Sequence, residues 1–177
     1  MGERARFLIE DLDAIASQFV LGNEEAFRRV IGLFDGEMRR LAFVICQDPE
    51  LAADASQNAW ANAWRHRGSL REPRSVRSWL LSIAANEARQ VARKRRVAPV
   101  NLLEEPADPA GETDIRLIDL RGALLNLSPE DRELIAVRYI AGWNATEIAG
   151  YLGGTPTGMR SRLKRLVDRL RRELSDE

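Results

Sequence analysis

The side chains of this sequence best suited to chemistry are its arginines, and their grouping suits the capture of a polyanion rather than the making or breaking of bonds. Ten basic residues stand between positions 65 and 96 (Arg65, Arg67, Arg71, Arg74, Arg77, Arg89, Arg93, Lys94, Arg95 and Arg96), opposed by Glu72 and Glu87. Seven more stand between 156 and 173 (Arg160, Arg162, Lys164, Arg165, Arg169, Arg171 and Arg172), opposed by Asp168 and Glu173. The stretch between them, 101–119, is acidic: Glu104, Glu105, Asp108, Glu112, Asp114 and Asp119 against Arg116. The net charge of zero therefore conceals a segregated chain. Two basic blocks around an acidic bridge predict two contacts on a polyanion; two solvated helix faces are the plainer alternative.

Groups suited to catalysis are absent from this pattern. No cluster of His, Cys, Ser or paired carboxylates has catalytic spacing. His66, the single histidine, has no acidic or nucleophilic neighbour to work with. Cys46, the single cysteine, follows Phe43, Val44 and Ile45 and reads as core. No catalytic residue, metal-ligand set or cofactor is expected. No run approaches the ~20 apolar residues of a membrane span. Met1 to Asp13 alternates charged and apolar residues and does not read as a secretory signal. Membrane insertion is not expected, and the implied compartment is the cytoplasm.

The elements that must position these arginines read as helices throughout. The 177 residues are 45% hydrophobic and 31% charged, which suits a folded chain of one or two domains. Asn23 precedes a long helix with Phe27, Val30, Ile31, Phe34, Leu41 and Val44 on one side. Asp48-Pro49 is a start signal, a capping side chain followed by proline at the first helical position. That helix carries Leu51, Ala55, Ala59, Trp60, Ala63 and Trp64. Gly68 to Pro73 breaks the pattern. A further helix is expected from about Arg74 to Arg96, with Val76, Leu80, Ile83, Ala84 and Val91 inward.

Residues 98–114 contain Pro99, Pro106, Pro109 and Gly111 with no periodicity and read as a flexible linker. The expected fold is thus all-α, with one helical domain over 1–97 and a second over 115–177. The second domain is expected to hold helices over 115–127, from Ser128-Pro129 to near Gly142, from Asn144 to Leu152, and from Thr155-Pro156 to about Leu174. Asn144 with Glu147 has the spacing of a capping box.

The last two of these, joined at Gly153-Gly154, match a helix-turn-helix. Met159, Leu163, Leu166, Val167 and Leu170 form one apolar stripe on the second helix. Thr157, Gly158, Arg160, Ser161, Lys164 and Arg165 are left facing outward near its start, where a recognition helix reaches base edges. Arginine can bridge guanine with two hydrogen bonds, while Lys, Ser and Thr contact phosphates or bases less selectively. In the first domain, Trp79, Asn86, Arg89, Arg93 and Lys94 lie on or near one helix. Aromatic and amide groups among arginines can hold melted strands by stacking and by charge. Trp79 also has a core reading, beside Leu80. The loop from His66 to Arg74, with Arg71 and Arg74, could hold an unpaired base.

Taken together these residues resemble a known family. Residues 52–64, with Asp54, Gln57, Asn58, Trp60, Ala63 and Trp64, are similar to region 2.2 of extracytoplasmic-function sigma factors of the sigma-70 family. Trp79-Leu80, Ile83-Ala84 and Asn86, followed by Arg93-Lys94-Arg95-Arg96, resemble regions 2.3 and 2.4. Leu127-Ser128-Pro129 and Arg132, Glu147-Ile148-Ala149, Leu152-Gly153 and Arg160-Ser161-Arg162-Leu163 resemble region 4. The similarity runs in order over about residues 22–174.

The resemblance implies an alternative RNA polymerase sigma factor without catalysis of its own. It implies that Asp54, Gln57 and Asn58 dock on the β′ coiled coil of core polymerase. It implies that the −10 element meets Arg71, Arg74, Trp79, Asn86, Arg89 and Arg93. The −35 element would meet Thr157, Arg160, Ser161, Lys164 and Arg165, in a domain that touches the β flap. Promoter DNA is the implied ligand, and an anti-sigma factor is a common partner in the family. The sequence departs from the family pattern at Ala53, at Ala55-Ser56 and at Asn58, which leaves the docking face less charged. It departs again at Thr157-Gly158-Met159. Other classes compete with this reading. A helix-turn-helix repressor or activator with a signal-binding N-terminal domain explains the C-terminal motif, but not the N-terminal basic helix or the acidic bridge. A protein-interaction adaptor would show no salt-dependent DNA affinity.

Overall fold

The computed structural model describes residues 3–97, 122–124 and 126–174, with side chains from residue 11 to residue 94 in the first of these stretches. The helices are α1 (Glu3–Val20), α2 (Glu24–Cys46), α3 (Pro49–His66), α4 (Val76–Val97), α5 (Pro129–Tyr139), α6 (Ala145–Leu152) and α7 (Pro156–Glu173), and the described residues contain no strand. The expected linker over 98–114 and the expected helical residues 115–121 lie outside the described residues.

Local chemistry starts each helix where the sequence places a cap. The first N–H groups of a helix have no partner within it, so a side-chain oxygen must accept from them. The Asn23 side chain accepts from Ala26 N at 2.9 Å. Asp48 accepts from Glu50 N and Leu51 N at 2.9 and 3.0 Å, with Pro49 behind it. Ser128 accepts from Asp131 N at 3.2 Å, again ahead of a proline. One boundary differs from expectation. Helix α4 begins at Val76, not Arg74, because Pro73–Ser75 forms a 3₁₀ turn in which Ser75 N donates to the Glu72 carbonyl at 2.8 Å.

In the first domain α2, α3 and α4 pack against one another and α1 lies on α2. The contact between α3 and α4 is built from small residues. Ala52, Ala55, Ala59 and Ala63 on one helix and Ala84, Ala85 and Ala88 on the other are buried, and short side chains let the two helices approach closely. Phe19 closes the end of this core. It is fully buried, stacks on Phe27 with centroids 5.6 Å apart, and meets Trp64 at 6.4 Å and Trp79 at 6.2 Å. Burial of a ring of this size stabilises the fold by about 3 kcal/mol. Helix α1 is an addition to the sequence reading. Its apolar Leu12, Ile15, Ala16 and Phe19 follow the i, i+3, i+4 spacing of a helix face, and Ile15, Ala16 and Phe19 are buried.

The second domain packs α5 on α6 and α7. Leu134, Val137, Ile148, Met159, Leu166 and Leu170 form its buried centre. Helix α5 also lies against α2, so the two domains touch.

Candidate nucleic-acid interface

Helices α6 and α7 build the helix-turn-helix from two caps and two glycines. The Asn144 side chain accepts from Thr146 N and Glu147 N at 2.8 and 3.1 Å, while Glu147 returns a carboxylate to Asn144 N at 2.7 Å. This is the reciprocal box expected from the sequence. The chain then turns through Gly153 and Gly154 at φ 82° and 107°, values at which a Cβ is strained. A Cβ on Gly154 would also stand 3.1 Å from the Met159 methyl, which plugs the core between the helices. Thr155 then caps α7 by accepting from Gly158 N at 3.1 Å.

This arrangement leaves a polar row on the first turns of α7. Thr157, Arg160, Ser161, Lys164 and Arg165 are all exposed, as the sequence predicts. Arg160 donates to the Thr157 hydroxyl at 3.1 Å, which steadies its guanidinium along the outer face. Arg162 points elsewhere. It is half-buried and pairs with Asp131 of α5 at 2.7 Å, so it braces the domain. Gly158 is exposed at an ordinary helical φ, and its Cβ position lies 3.1 Å from the Thr155 hydroxyl. The closest group to this glycine is therefore the cap of its own helix.

The first-domain residues separate into three groups. Arg71, Arg74, Asn86 and Arg93 are exposed, with Arg74 3.3 Å from Glu72. Asn86, Arg89 and Arg93 share one face of α4 by their spacing. Trp79 is half-buried and packed on Phe19, so most of its ring serves the core. Arg89 is half-buried and occupied. Its Nε donates to Glu133 Oε1 of α5 at 2.8 Å, and its guanidinium lies 4.1 Å from the centre of the Tyr151 ring on α6. Tyr151 donates its hydroxyl to the same Glu133 oxygen at 2.8 Å. Burial first, and then the Glu133 charge and hydrogen bond, push the Tyr151 phenol far above its ordinary value, so it remains a donor. Arg77 reaches across in the same way. It is paired with Glu37 of α2 and donates to the Ile140 and Ala141 carbonyls at 3.0 and 3.2 Å.

Asp54, Gln57 and Asn58 are exposed together on α3. Beside them runs a groove of about 670 Å³ between α2 and α3, floored by Phe27, Ile31, Trp60 and Trp64 and edged by Arg28, Asp35, Arg39 and Gln57. The α2 side of this groove was not identified from the sequence, because Asp35 and Arg39 look like solvated positions. Asp35 is in fact a hub. It accepts from Trp60 Nε1 at 2.8 Å, from Arg39 Nε at 2.7 Å and from Ser56 Oγ at 3.4 Å. That explains the serine at 56, which is buried with a carboxylate to satisfy it. His66 is exposed and its Nδ1 lies 3.0 Å from the Asn62 carbonyl, while Cys46 Sγ faces the Ala88 carbonyl at 3.5 Å. The described residues contain no group of three or more His, Cys, Asp or Glu able to hold a metal, and none of their helices is long and apolar enough to cross a membrane.

Known proteins share this architecture. The family model described as Sigma-70 region 2 matches residues 31–97, and that described as Sigma-70, region 4 matches residues 117–170. The chain is 30% identical over 158 residues to the ECF RNA polymerase sigma factor SigM of Mycobacterium tuberculosis, covering 88% of this chain and 80% of that protein. It is 29% identical over 161 residues to the RNA polymerase sigma factor CarQ of Myxococcus xanthus, covering 88% and 92%. It is 27% identical over 165 residues to the probable RNA polymerase sigma factor RfaY of Xanthomonas campestris, covering 86% of this chain but only 41% of that protein. Among solved structures, CnrH in complex with the cytosolic domain of CnrY superposes with a TM-score of 0.67 at 21% identity, covering 94% of this chain and 98% of that one. RpoE of Bartonella quintana in complex with the anti-sigma factor NepR also superposes with a TM-score of 0.67, at 24% identity, covering 84% and 96%. At these identities the two superpositions speak for the fold. With two helical domains that match sigma regions 2 and 4 in order, and with a relative of that identity and coverage, the chain belongs to the extracytoplasmic-function RNA polymerase sigma factors of the sigma-70 family.

Proposed function

We propose that this sigma factor binds core RNA polymerase and directs it to promoters by reading DNA at two points, one in each domain. The domain over 1–97 meets core polymerase and the −10 element, and the domain over 115–177 meets the −35 element. Residues 98–114 connect them. The observation that carries the reading is the exposed row Thr157, Arg160, Ser161, Lys164 and Arg165 on a capped helix behind a glycine turn. Such a helix presents its first turns to base edges in the major groove. The −10 contact falls to Arg71, Arg74, Asn86, Arg89 and Arg93, with the exposed edge of Trp79 beside them. The exposed Asp54, Gln57 and Asn58 meet the β′ coiled coil, and the aromatic groove next to them adds apolar area to that contact. The β flap meets the second domain. An anti-sigma factor, the kind of partner seen with the Bartonella protein, would compete for these surfaces. The activity is exerted in the cytoplasm.

In vitro transcription with purified core polymerase on a promoter library tests this directly. The expected result is factor-dependent transcripts whose templates share two separated motifs. Binding as a dimer to palindromic duplex, with no transcript, would favour a repressor and overturn the reading.

A further inference from the structure

Arg67 belongs to the first basic block of the sequence, yet its charge is turned inward. Its Nη1 donates to the Trp64 carbonyl at 2.7 Å, and its guanidinium carbon lies 4.4 Å from the centre of the Trp64 ring. The same guanidinium lies against Gly22, just past the end of α1. A Cβ there would stand 3.1 Å from Nη2 and 3.2 Å from Nε. Gly22 has φ 86°, and the N–H groups of Gly22 and Asn23 donate back to the Phe19 and Gln18 carbonyls at 2.9 and 3.0 Å. That pair of bonds closes α1 through the left-handed turn that favours glycine, so one residue serves both the helix end and the arginine. The Arg67 Nε is buried without a hydrogen-bond partner among the described residues. An orphaned donor is unfavourable, so the ring, the Trp64 carbonyl and the fit against Gly22 hold this side chain in place of a full set of polar partners.

Position 67 is where α3 ends and the loop toward α4 starts. The Arg67 carbonyl accepts from Leu70 N at 3.1 Å, and the Leu70 side chain is buried. Helix α1 touches both 3₁₀ turns of this loop, Arg67–Ser69 and Pro73–Ser75. Gly68, Ser69, Arg71 and Glu72 are left exposed. A loop held at a few points by a rigid neighbour presents its exposed residues in one place.

We infer that Arg67 is a positioning residue for the −10 contact. It ties the loop over 66–74 to the end of α1, and so fixes where Arg71 and its exposed neighbours meet an unpaired base. The inference rests on the two-point reading above. A loop ordered before binding loses less freedom when the base arrives. Slack in the loop would spread the same groups over several positions. The charge that draws in DNA would survive, and the distinction between one base and another would fade.

Two full-length variants, each assembled with core polymerase, test this. Gly22→Ala displaces Arg67 without removing a charge, and Arg67→Met keeps an apolar stem over Trp64 but removes the guanidinium. Transcription in vitro from a library-selected promoter is compared with templates changed at one base of the −10 motif or one base of the −35 motif. Each variant should lose about tenfold of its preference for the selected −10 base, the scale of effect that misplaced groups produce. Preference at the −35 base should stay at the wild-type value. The double variant should be no worse than the more affected single one, since both changes break one contact. Wild-type preference in both variants overturns the inference. A uniform fall on every template for Arg67→Met, with Gly22→Ala at wild-type preference, overturns it too and makes Arg67 a phosphate contact. Equal loss of preference at both elements overturns it as general destabilisation. Should Gly22→Ala not fold, Arg67→Met decides alone: loss confined to the −10 base supports the brace, and uniform loss overturns it. A wild-type protein without any −10 preference would instead sink the two-point reading, which keeps the two failures apart.

Discussion

Helices α4 and α7 are both rich in arginine, yet the arginines meet different partners. On α7 the residues at 160, 161, 164 and 165 face solvent, and their fixed contacts are local, as between Arg160 and Thr157. On α4, Arg77 and Arg89 reach residues more than forty positions away, in another domain. The difference follows from what stands opposite each helix. The far side of α7 packs through Met159, Leu166 and Leu170, so its polar row points away from the other described residues. Helix α4 is covered on one side by α2 and α3, and at Arg89 by a buried carboxylate and a tyrosine, while Arg93 on the same face stays exposed. A basic helix is therefore a DNA surface only to the extent that no acidic group of the same chain has reached it first.

The largest expected effect tests the open helix. Arg160→Ala should weaken binding to a −35 duplex selected from the promoter library by about 1–3 kcal/mol, or roughly five- to 150-fold, if the guanidinium bridges a base. Binding to random duplex should fall far less. Fluorescence anisotropy on the two duplexes measures both. Equal losses would reduce Arg160 to a phosphate contact and make α7 a second, sequence-blind basic surface.

A smaller effect separates arginines within α7 itself. Arg162 belongs to the same basic block, but its guanidinium is tied to Asp131, and both side chains are partly exposed. Arg162→Ala should therefore lower stability by about 0.5–1 kcal/mol, the range for a pair still screened by water, and leave sequence preference unchanged. Thermal melting gives the first quantity and a competition between related duplexes gives the second. A changed preference at unchanged melting temperature would place Arg162 on DNA and erase the distinction between bracing and reading residues.

How far the sequence foretold these positions depends on the range of the interaction. The caps at Asn23, Asp48, Ser128, Asn144 and Thr155 are contacts over two or three residues, and each was legible from residue type and spacing. The exposed face of α7 was legible too, because an apolar stripe on one side leaves the other side outward. Helix α1 carries the same kind of stripe, but only over Leu12 to Phe19, behind a start crowded with charge, so its period is short and faint in the sequence. What no local period encodes is the meeting of residue 89 with residue 133, or of Asp35 with Trp60. Glu133 reads as one more surface carboxylate near the start of a helix until α4 is placed against it. The site residues were thus readable as a set of exposed charges, whereas their availability was not.

The smallest effect concerns the one residue of the reading helix with no side chain. Gly158 stands in the first turn of α7, where alanine would improve helix propensity by up to about 1 kcal/mol. The added methyl would lie 3.1 Å from the Thr155 hydroxyl that caps the helix, closer than ordinary contact. A displaced cap costs about 1 kcal/mol when fully lost, and here it need only shift. The two effects oppose each other, so Gly158→Ala should change stability by no more than about 0.5 kcal/mol. Because the methyl sits beside the cap rather than at the tip of the polar row, affinity for the selected −35 duplex should stay within about twofold of wild type, less than ~0.5 kcal/mol. Melting temperature and anisotropy decide between two uses of this glycine. Loss of affinity at an unchanged melting temperature would mean that backbone meets DNA at Gly158. A shift in melting temperature at unchanged affinity would mean that the glycine serves the cap, and that base reading falls to side chains such as Arg160, two residues on.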